Sequence, residues 1–189
     1  APTPSMAIAE IEPDSSRGDL SKGFIVPRGT MMDSLALKKT GVTCSYTTAH
    51  EVNLLPLKID KVELGGVPAD LPLAQLGLSQ RQIGSALRIR IACDGPQNLG
   101  HLDFDRLEFF LGGPDIEALK LLELVMEHHA GIVCQTVSPQ PQRQLLASDA
   151  LRQEGFEPDQ ALLPDDLRNF DGYRLLQEYF AFPARFRFI

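Results

Sequence analysis

The chain has 189 residues, of which 43% are hydrophobic and 23% charged, and its formal net charge is −7. This length and composition are typical of a globular protein with one large domain or two small ones, and they argue against intrinsic disorder. The acidic charge also argues against binding to nucleic acid, because phosphates are held by clustered Lys and Arg side chains.

Cysteine spacing, hydropathy and the lack of known motifs argue against further classes of protein. Cys44, Cys93 and Cys134 are far apart and form no CxxC pair, so neither a zinc site nor a disulfide framework is indicated. No apolar run approaches the roughly twenty residues of a membrane helix, which argues against direct membrane insertion. The sequence has no GxSxG, HExxH or Walker motif and no GxGxxG after a strand, so neither an enzyme class nor a cofactor is predicted.

Residues 1–84 are predicted to form a β-rich segment. Short apolar runs are separated by turn residues, and Pro27 with Gly29 marks a sharp turn. Residues 66–84 carry Gly, Pro and several leucines, and we interpret them as a loop or a short helical turn. The predicted strands lie within residues 6–12, 23–30, 42–48 and 52–64.

Residues 85–189 are predicted to form an α+β segment, and the uncertain boundary leaves open a single domain. The clearest strand is 86–93, where apolar residues alternate with Arg88 and Arg90. Further strands are predicted at residues 106–111 and 131–137.

An amphipathic helix is predicted over residues 114–129. Pro114 suits the first turn of a helix, since its missing N–H would have no partner there. The apolar residues that recur at intervals of three and four are Ile116, Leu119, Leu122 and Met126. We expect this helix to cover a sheet that contains 86–93 and 106–111. The predicted fold class is therefore α+β, with mainly antiparallel strands.

Residues 170–189 contain seven of the thirteen aromatic side chains of the chain. A short aromatic helix is predicted near 172–181, and Pro183 is expected to end it. Beyond the proline, arginine and phenylalanine alternate from Arg185 to Phe188, which is the period of a strand. The side chains expected to pack internally at this junction are Tyr173, Leu176, Tyr179, Phe180 and Phe182.

Two groups of residues suggest a metal site, and each has a simpler interpretation. His128 and His129 are adjacent on a helix and point about 100° apart, so they cannot easily share one ion. Asn169, Asp171, Gly172 and Glu178 match a calcium-binding EF-hand loop, but its first ligand position is Leu167. Asp171 is expected to cap the aromatic helix instead, and no metal is predicted.

The segment "GYRLLQEYFAFP", residues 172–183, resembles the signature of the TssF family, also called VasA or ImpG, of the bacterial type VI secretion system. Other segments resemble the family in the same order, namely "APTPSMAI", "FIVPRGT", "CSYTTAHEV", "LPLKIDKVEL" and "RLEFFLGG". The residues that the motif assigns to packing or assembly are Gly172, Tyr173, Leu176, Gln177, Glu178, Tyr179, Phe180, Phe182 and Pro183.

This resemblance implies a structural, non-enzymatic baseplate component. Members of the family form a wedge with TssG around the VgrG spike, and a second TssF copy, TssK and TssE are the other implied partners. The implied location is the cytoplasm, where the baseplate docks to the inner-membrane complex. Because family members are longer than this chain, the resemblance also implies an internal fragment.

A small-ligand or carbohydrate-binding β-rich module is the alternative hypothesis. Tyr173, Tyr179 and Phe182 would supply the rings, and a sugar platform needs coplanar rings in solvent. Exposure and ring geometry therefore separate the two hypotheses.

Overall fold

The computed structural model describes residues 3–14, 20, 23–36, 38–95, 98–147, 149–163 and 171–189. These residues contain short strands and two α-helices, which confirms the predicted α+β class. The strands are β1 (Phe24–Val26), β2 (Met31–Asp33), β3 (Ser45–Thr47), β4 (Val52–Leu54), β5 (Leu57–Gly65), β6 (Ala86–Cys93), β7 (Val133–Gln135) and β8 (Arg143–Leu145). The helices are α1 (Asp115–Glu127) and α2 (Asp171–Ala181). Neither helix has the length and hydropathy that a membrane span requires.

The chain forms two compact units, each of which gathers segments that are distant in sequence. Unit 1 comprises Ala1–Pro56, Cys93–Glu108 and Glu154–Phe188. Unit 2 comprises Leu57–Ala92, Phe109–Gln153 and Ile189. The division into a β-rich segment, 1–84, and an α+β segment, 85–189, stays a prediction.

Two antiparallel strand pairs form the β part of unit 1. β1 pairs with β4 and β2 pairs with β3. The turn that follows β1 is held by the carbonyl oxygen of Pro27, which accepts the hydroxyl groups of Thr30 and Thr48, each at 2.7 Å. Gly29 has a φ of +82°, a conformation that glycine adopts without strain. The predicted turn is therefore present, and it joins the two strand pairs.

Unit 2 contains the pair β5–β6 and the antiparallel pair β7–β8. Asp70 connects its parts: one carboxylate oxygen accepts Arg88 at 2.7 Å, and the other accepts the Gln135 amide at 3.2 Å. Arg143 donates to the Asp70 backbone carbonyl at 2.9 Å and to the Gln135 side chain at 2.9 Å. The side chain of Asp70 thus ties the 66–84 loop to β6 and β7, and its backbone carbonyl ties the loop to β8.

Helix α1 begins directly after Pro114, as predicted, but only Leu122 and Met126 of its four predicted core residues are partly buried. Ile116 is 70% exposed and Leu119 is 47% exposed, so their predicted place on the core face is wrong. Ala118 is only 1% exposed, and its position two residues from Ile116 puts the two side chains about 200° apart. The partly buried residues that continue the Ala118 face are Leu121, Leu122, Val125 and Met126.

Three predicted strands are absent from the described residues. Residues 6–12 form no ladder there, and a strand without a partner leaves its backbone groups unpaired. Residues 106–111 have no strand either, so the sheet that we expected α1 to cover does not exist in that form. The backbone of Phe109 exchanges two hydrogen bonds with Ile189, at 2.9 and 3.0 Å, which is too short a pairing to make a sheet.

The third absent strand lies after Pro183. Residues Pro183–Arg187 form a 3-10 helix, and Pro183 stands in its first turn, where its fixed φ is favourable. The alternation of arginine and phenylalanine therefore does not reflect two faces of a strand. Arg185, Phe186 and Arg187 are all buried.

Candidate functional site

Helix α2 has its charged and apolar sides reversed relative to an ordinary surface helix. Glu178 is fully buried at 0% exposure, and the side chain of Arg174 is 14% exposed. Tyr173, Leu176 and Phe180 are 61%, 55% and 80% exposed. At about 100° per residue these three positions lie opposite Arg174 and Glu178. The helix therefore turns its described ion pair inward and its apolar stripe outward.

The buried carboxylate of Glu178 fastens α2 to the segment before it. Its Oε1 atom accepts the backbone N–H groups of Leu162 and Leu163 at 3.0 and 3.1 Å. Arg174 Nη1 lies 3.4 Å from the same oxygen, one helical turn earlier. A buried carboxylate needs such partners, because desolvation would otherwise be costly. Glu178 therefore fixes the inward side of the helix.

Arg185 lies in the same buried region and is 3% exposed. Its Nη2 donates to the carbonyl oxygen of Gln160 at 2.9 Å. Burial lowers the pKa of Arg185 from its usual value, and the carboxylates of Glu178, Glu108 and Glu154 oppose that shift. The arginine therefore combines a direct bond to a backbone carbonyl with the attraction of several acidic groups.

Glu154, which is 9% exposed, links two further segments of unit 1. Its Oε2 atom lies 2.8 Å from Arg106 Nη2 and accepts the side-chain amide of Gln160. Its backbone N–H donates to the carbonyl oxygen of Phe188 at 2.9 Å. Arg106 in turn lies 3.0 Å from Glu108. The charges around the 3-10 helix are therefore used in internal contacts.

His50 is a partly buried histidine of this unit. Its Nδ1 atom is buried and has no hydrogen-bond partner among the described residues. Burial lowers the pKa of His50 below 6.5, and the nearby positive charge of Arg185 lowers it further. The environment therefore favours the uncharged imidazole.

Aromatic rings connect the exposed side of α2 with the buried interior of unit 1. Phe180 contacts Tyr179 with ring centroids 5.6 Å apart, and Tyr179 contacts Phe186 at 5.9 Å. Phe186 is 7% exposed and packs against Phe156 at 5.4 Å. Gly155 has a φ of +104° and its backbone passes close to the Phe186 ring. The exposed Phe180 ring is therefore linked through Tyr179 to the buried Phe186 ring.

These positions correct the predicted packing of the terminal motif. The expectation that Tyr173, Leu176, Tyr179 and Phe180 pack internally is wrong, because all four are about half exposed or more. Phe182 is partly buried. The reason is that α2 turns Glu178 inward, which places the apolar stripe on the far side of the helix.

The remaining motif residues have simpler positions. Gln177 and Pro183 are exposed, and Gly172 lies within α2. Asp171 was predicted to cap α2 with its side chain, and that side chain lies outside the described part of the structure. Sequence reasoning missed the inward role of Glu178 and the burial of Arg185, although the i, i+4 spacing of Arg174 and Glu178 was a usable signal.

The residues considered as metal ligands are not brought together in the described part of the chain, which contains no group of three acidic, His or Cys side chains that could hold an ion. His128 follows α1, and its backbone N–H donates to Leu124. In the calcium-loop pattern, Leu167 and Asn169 lie outside the described residues, and Glu178 is engaged with backbone N–H groups.

The carbohydrate alternative rests on Tyr173, Tyr179 and Phe182, of which Tyr173 and Tyr179 are exposed and Phe182 is partly buried. The Tyr179 ring lies edge-on to the Phe180 ring beside it, with the two ring planes 80° apart. Stacking on a sugar needs rings that share a plane, whereas an edge-to-face pair presents two different surfaces.

In the described part of unit 1, the buried carboxylates of Glu154 and Glu178 thus contact arginines of the same unit, and several rings of α2 are exposed. A family model described as "Type VI secretion system, TssF" matches residues 1–189. The chain belongs to the TssF family, and the resemblance seen in its motifs is confirmed.

Two relatives extend this comparison. The chain is 37% identical over 192 residues to the type VI secretion system component TssF1 of Pseudomonas aeruginosa PAO1, covering 100% of this chain and 30% of that protein. It is also similar in fold to a chain in the cryo-electron microscopy structure of the TssK-TssF-TssG baseplate subcomplex. That similarity has a TM-score of 0.65 at 24% identity and covers 88% of this chain and 29% of the other. The chain thus spans about a third of the length of these relatives.

Proposed function

We propose that this chain is part of a structural baseplate component of the type VI secretion system, and that it works by binding other subunits. The observation that carries the proposal is the match of the TssF family model to residues 1–189. The similar fold of a chain from the TssK-TssF-TssG subcomplex supports TssG and TssK as binding partners.

The proposal also covers the partners and location of the full-length parent protein. We propose that the parent protein forms the wedge with TssG around the VgrG spike, with a second TssF copy and TssE as further neighbours. It acts in the cytoplasm, where the baseplate docks to the inner-membrane complex. These partners and this location are inferred from the resemblance of the chain to the TssF family.

A role without catalysis is part of the proposal. The buried acidic groups Glu154 and Glu178 contact arginines and backbone N–H groups, which is a structural use of charge. Arg185 likewise donates to a backbone carbonyl. A catalytic set would need a nucleophile, a base and an orienting group within reach of each other and of a substrate.

The test uses the full-length parent protein, coexpressed with TssG and TssK and isolated through a tag on TssG. We expect the parent protein to copurify, and we expect its Glu178→Ala variant to lose both copurification and sheath assembly. His128→Ala is the control, because His128 is exposed and lies at the end of α1, outside the cluster around α2.

Two outcomes would contradict the proposal. One is failure of the parent protein to bind either subunit. The other is a variant of a single His or carboxylate that keeps stability, TssG binding and sheath assembly but loses secretion, since that pattern indicates a reactive or ligand-binding site.

A further inference from the structure

We draw no further inference here: the strongest candidate, the exposed apolar stripe of α2 that includes Leu176 and Phe180, carries nothing further because nothing in the structure shows what covers it.

Discussion

Arg174 and Glu178 lie one turn apart on α2, and their charged atoms are 3.4 Å apart with the carboxylate fully buried. An i, i+4 pair on an exposed helix face contributes little to stability. Here the pair lies on the inward side, and the same carboxylate oxygen also accepts two backbone N–H groups. The pair therefore determines which side of α2 faces the interior of unit 1.

Glu178→Ala should be strongly destabilising. The substitution leaves the N–H groups of Leu162 and Leu163 without their acceptor and Arg174 without its counter-charge. We expect the free energy of unfolding to fall by about 3 to 5 kcal/mol, as for removal of one partner of a buried pair. Glu178→Gln keeps an oxygen acceptor and should lose less, roughly 1 to 3 kcal/mol. Urea unfolding followed by circular dichroism measures both, and an unchanged midpoint for Glu178→Ala would contradict the assigned role.

Phe186→Ala and Phe180→Ala should differ clearly in stability. Phe186 is 7% exposed, so its truncation should lower the free energy of unfolding by about 3 to 5 kcal/mol. Phe180 is 80% exposed, so its truncation should change that free energy by less than about 1 kcal/mol. Thermal melts of the two variants provide the comparison. Equal losses would show that the Phe180 ring is covered in solution.

Gly155→Ala should be more destabilising than Gly113→Ala. Both glycines have similar φ angles, +104° and +106°, so each variant should lose about 1 to 2 kcal/mol from backbone strain. A Cβ at Gly155 would lie 3.2 Å from the Phe186 ring, whereas one at Gly113 would meet nothing within 4 Å. The crowding should add about 1 to 3 kcal/mol at Gly155 alone. Denaturant unfolding of both variants measures the difference, which vanishes if the Phe186 ring can move aside.

Stability should decrease as the pH falls below about 6.5 because of His50. Burial, followed by the charge of Arg185, lowers the pKa of this imidazole in the folded state, while Glu108 acts in the opposite direction. The unfolded chain therefore takes up the proton first, and the folded state loses relative stability until the pH passes the lower folded pKa. Unfolding measured between pH 7.5 and 5 should show this slope.

The matched comparison uses His50→Gln and His128→Gln. The first variant should have a weaker dependence of stability on pH across that range, because the titrating group is gone. The second is the control for replacing a histidine elsewhere in the chain, because His128 is exposed and follows α1. A wild-type slope in His50→Gln would assign the effect to other groups.

Local sequence patterns correctly predicted the strands and helices whose formation depends mainly on residues nearby in sequence. Strand β6 follows the alternation of apolar residues with Arg88 and Arg90. Helix α1 begins after Pro114 as its spacing indicates. The twelve-residue motif at 172–183 indicated the family correctly, because its residue types are specific in combination.

The side of α2 that faces inward could not be predicted in this way. Apolar periodicity favours burial of Leu176 and Phe180, but the segment that receives the helix presents the backbone N–H groups of Leu162 and Leu163, which require an acceptor. Those groups lie 15 and 16 residues before Glu178, outside the range of any helical pattern. Tertiary hydrogen bonding therefore reversed the expected orientation.

The absent strand at 106–111 has a related explanation. Its alternating pattern is suitable for a strand, but a ladder also needs a partner of comparable length. Phe109 exchanges backbone hydrogen bonds with Ile189, while the residues before Ile189 form a 3-10 helix. The pattern correctly predicted the alternation of exposed and buried side chains, but it contained no information about a partner strand.

The contacts of Asp70 have a consequence for synthesis on the ribosome. Its hydrogen bonds to Gln135 and Arg143 span 65 and 73 residues of sequence. A nascent chain emerges from its N-terminal end, so the 66–84 loop leaves the ribosome well before the strands that hold it. During that interval Asp70 can bond to Arg88, 18 residues away, but not yet to β7 or β8. The loop is therefore a segment that proteases and chaperones can reach before the later strands complete the unit.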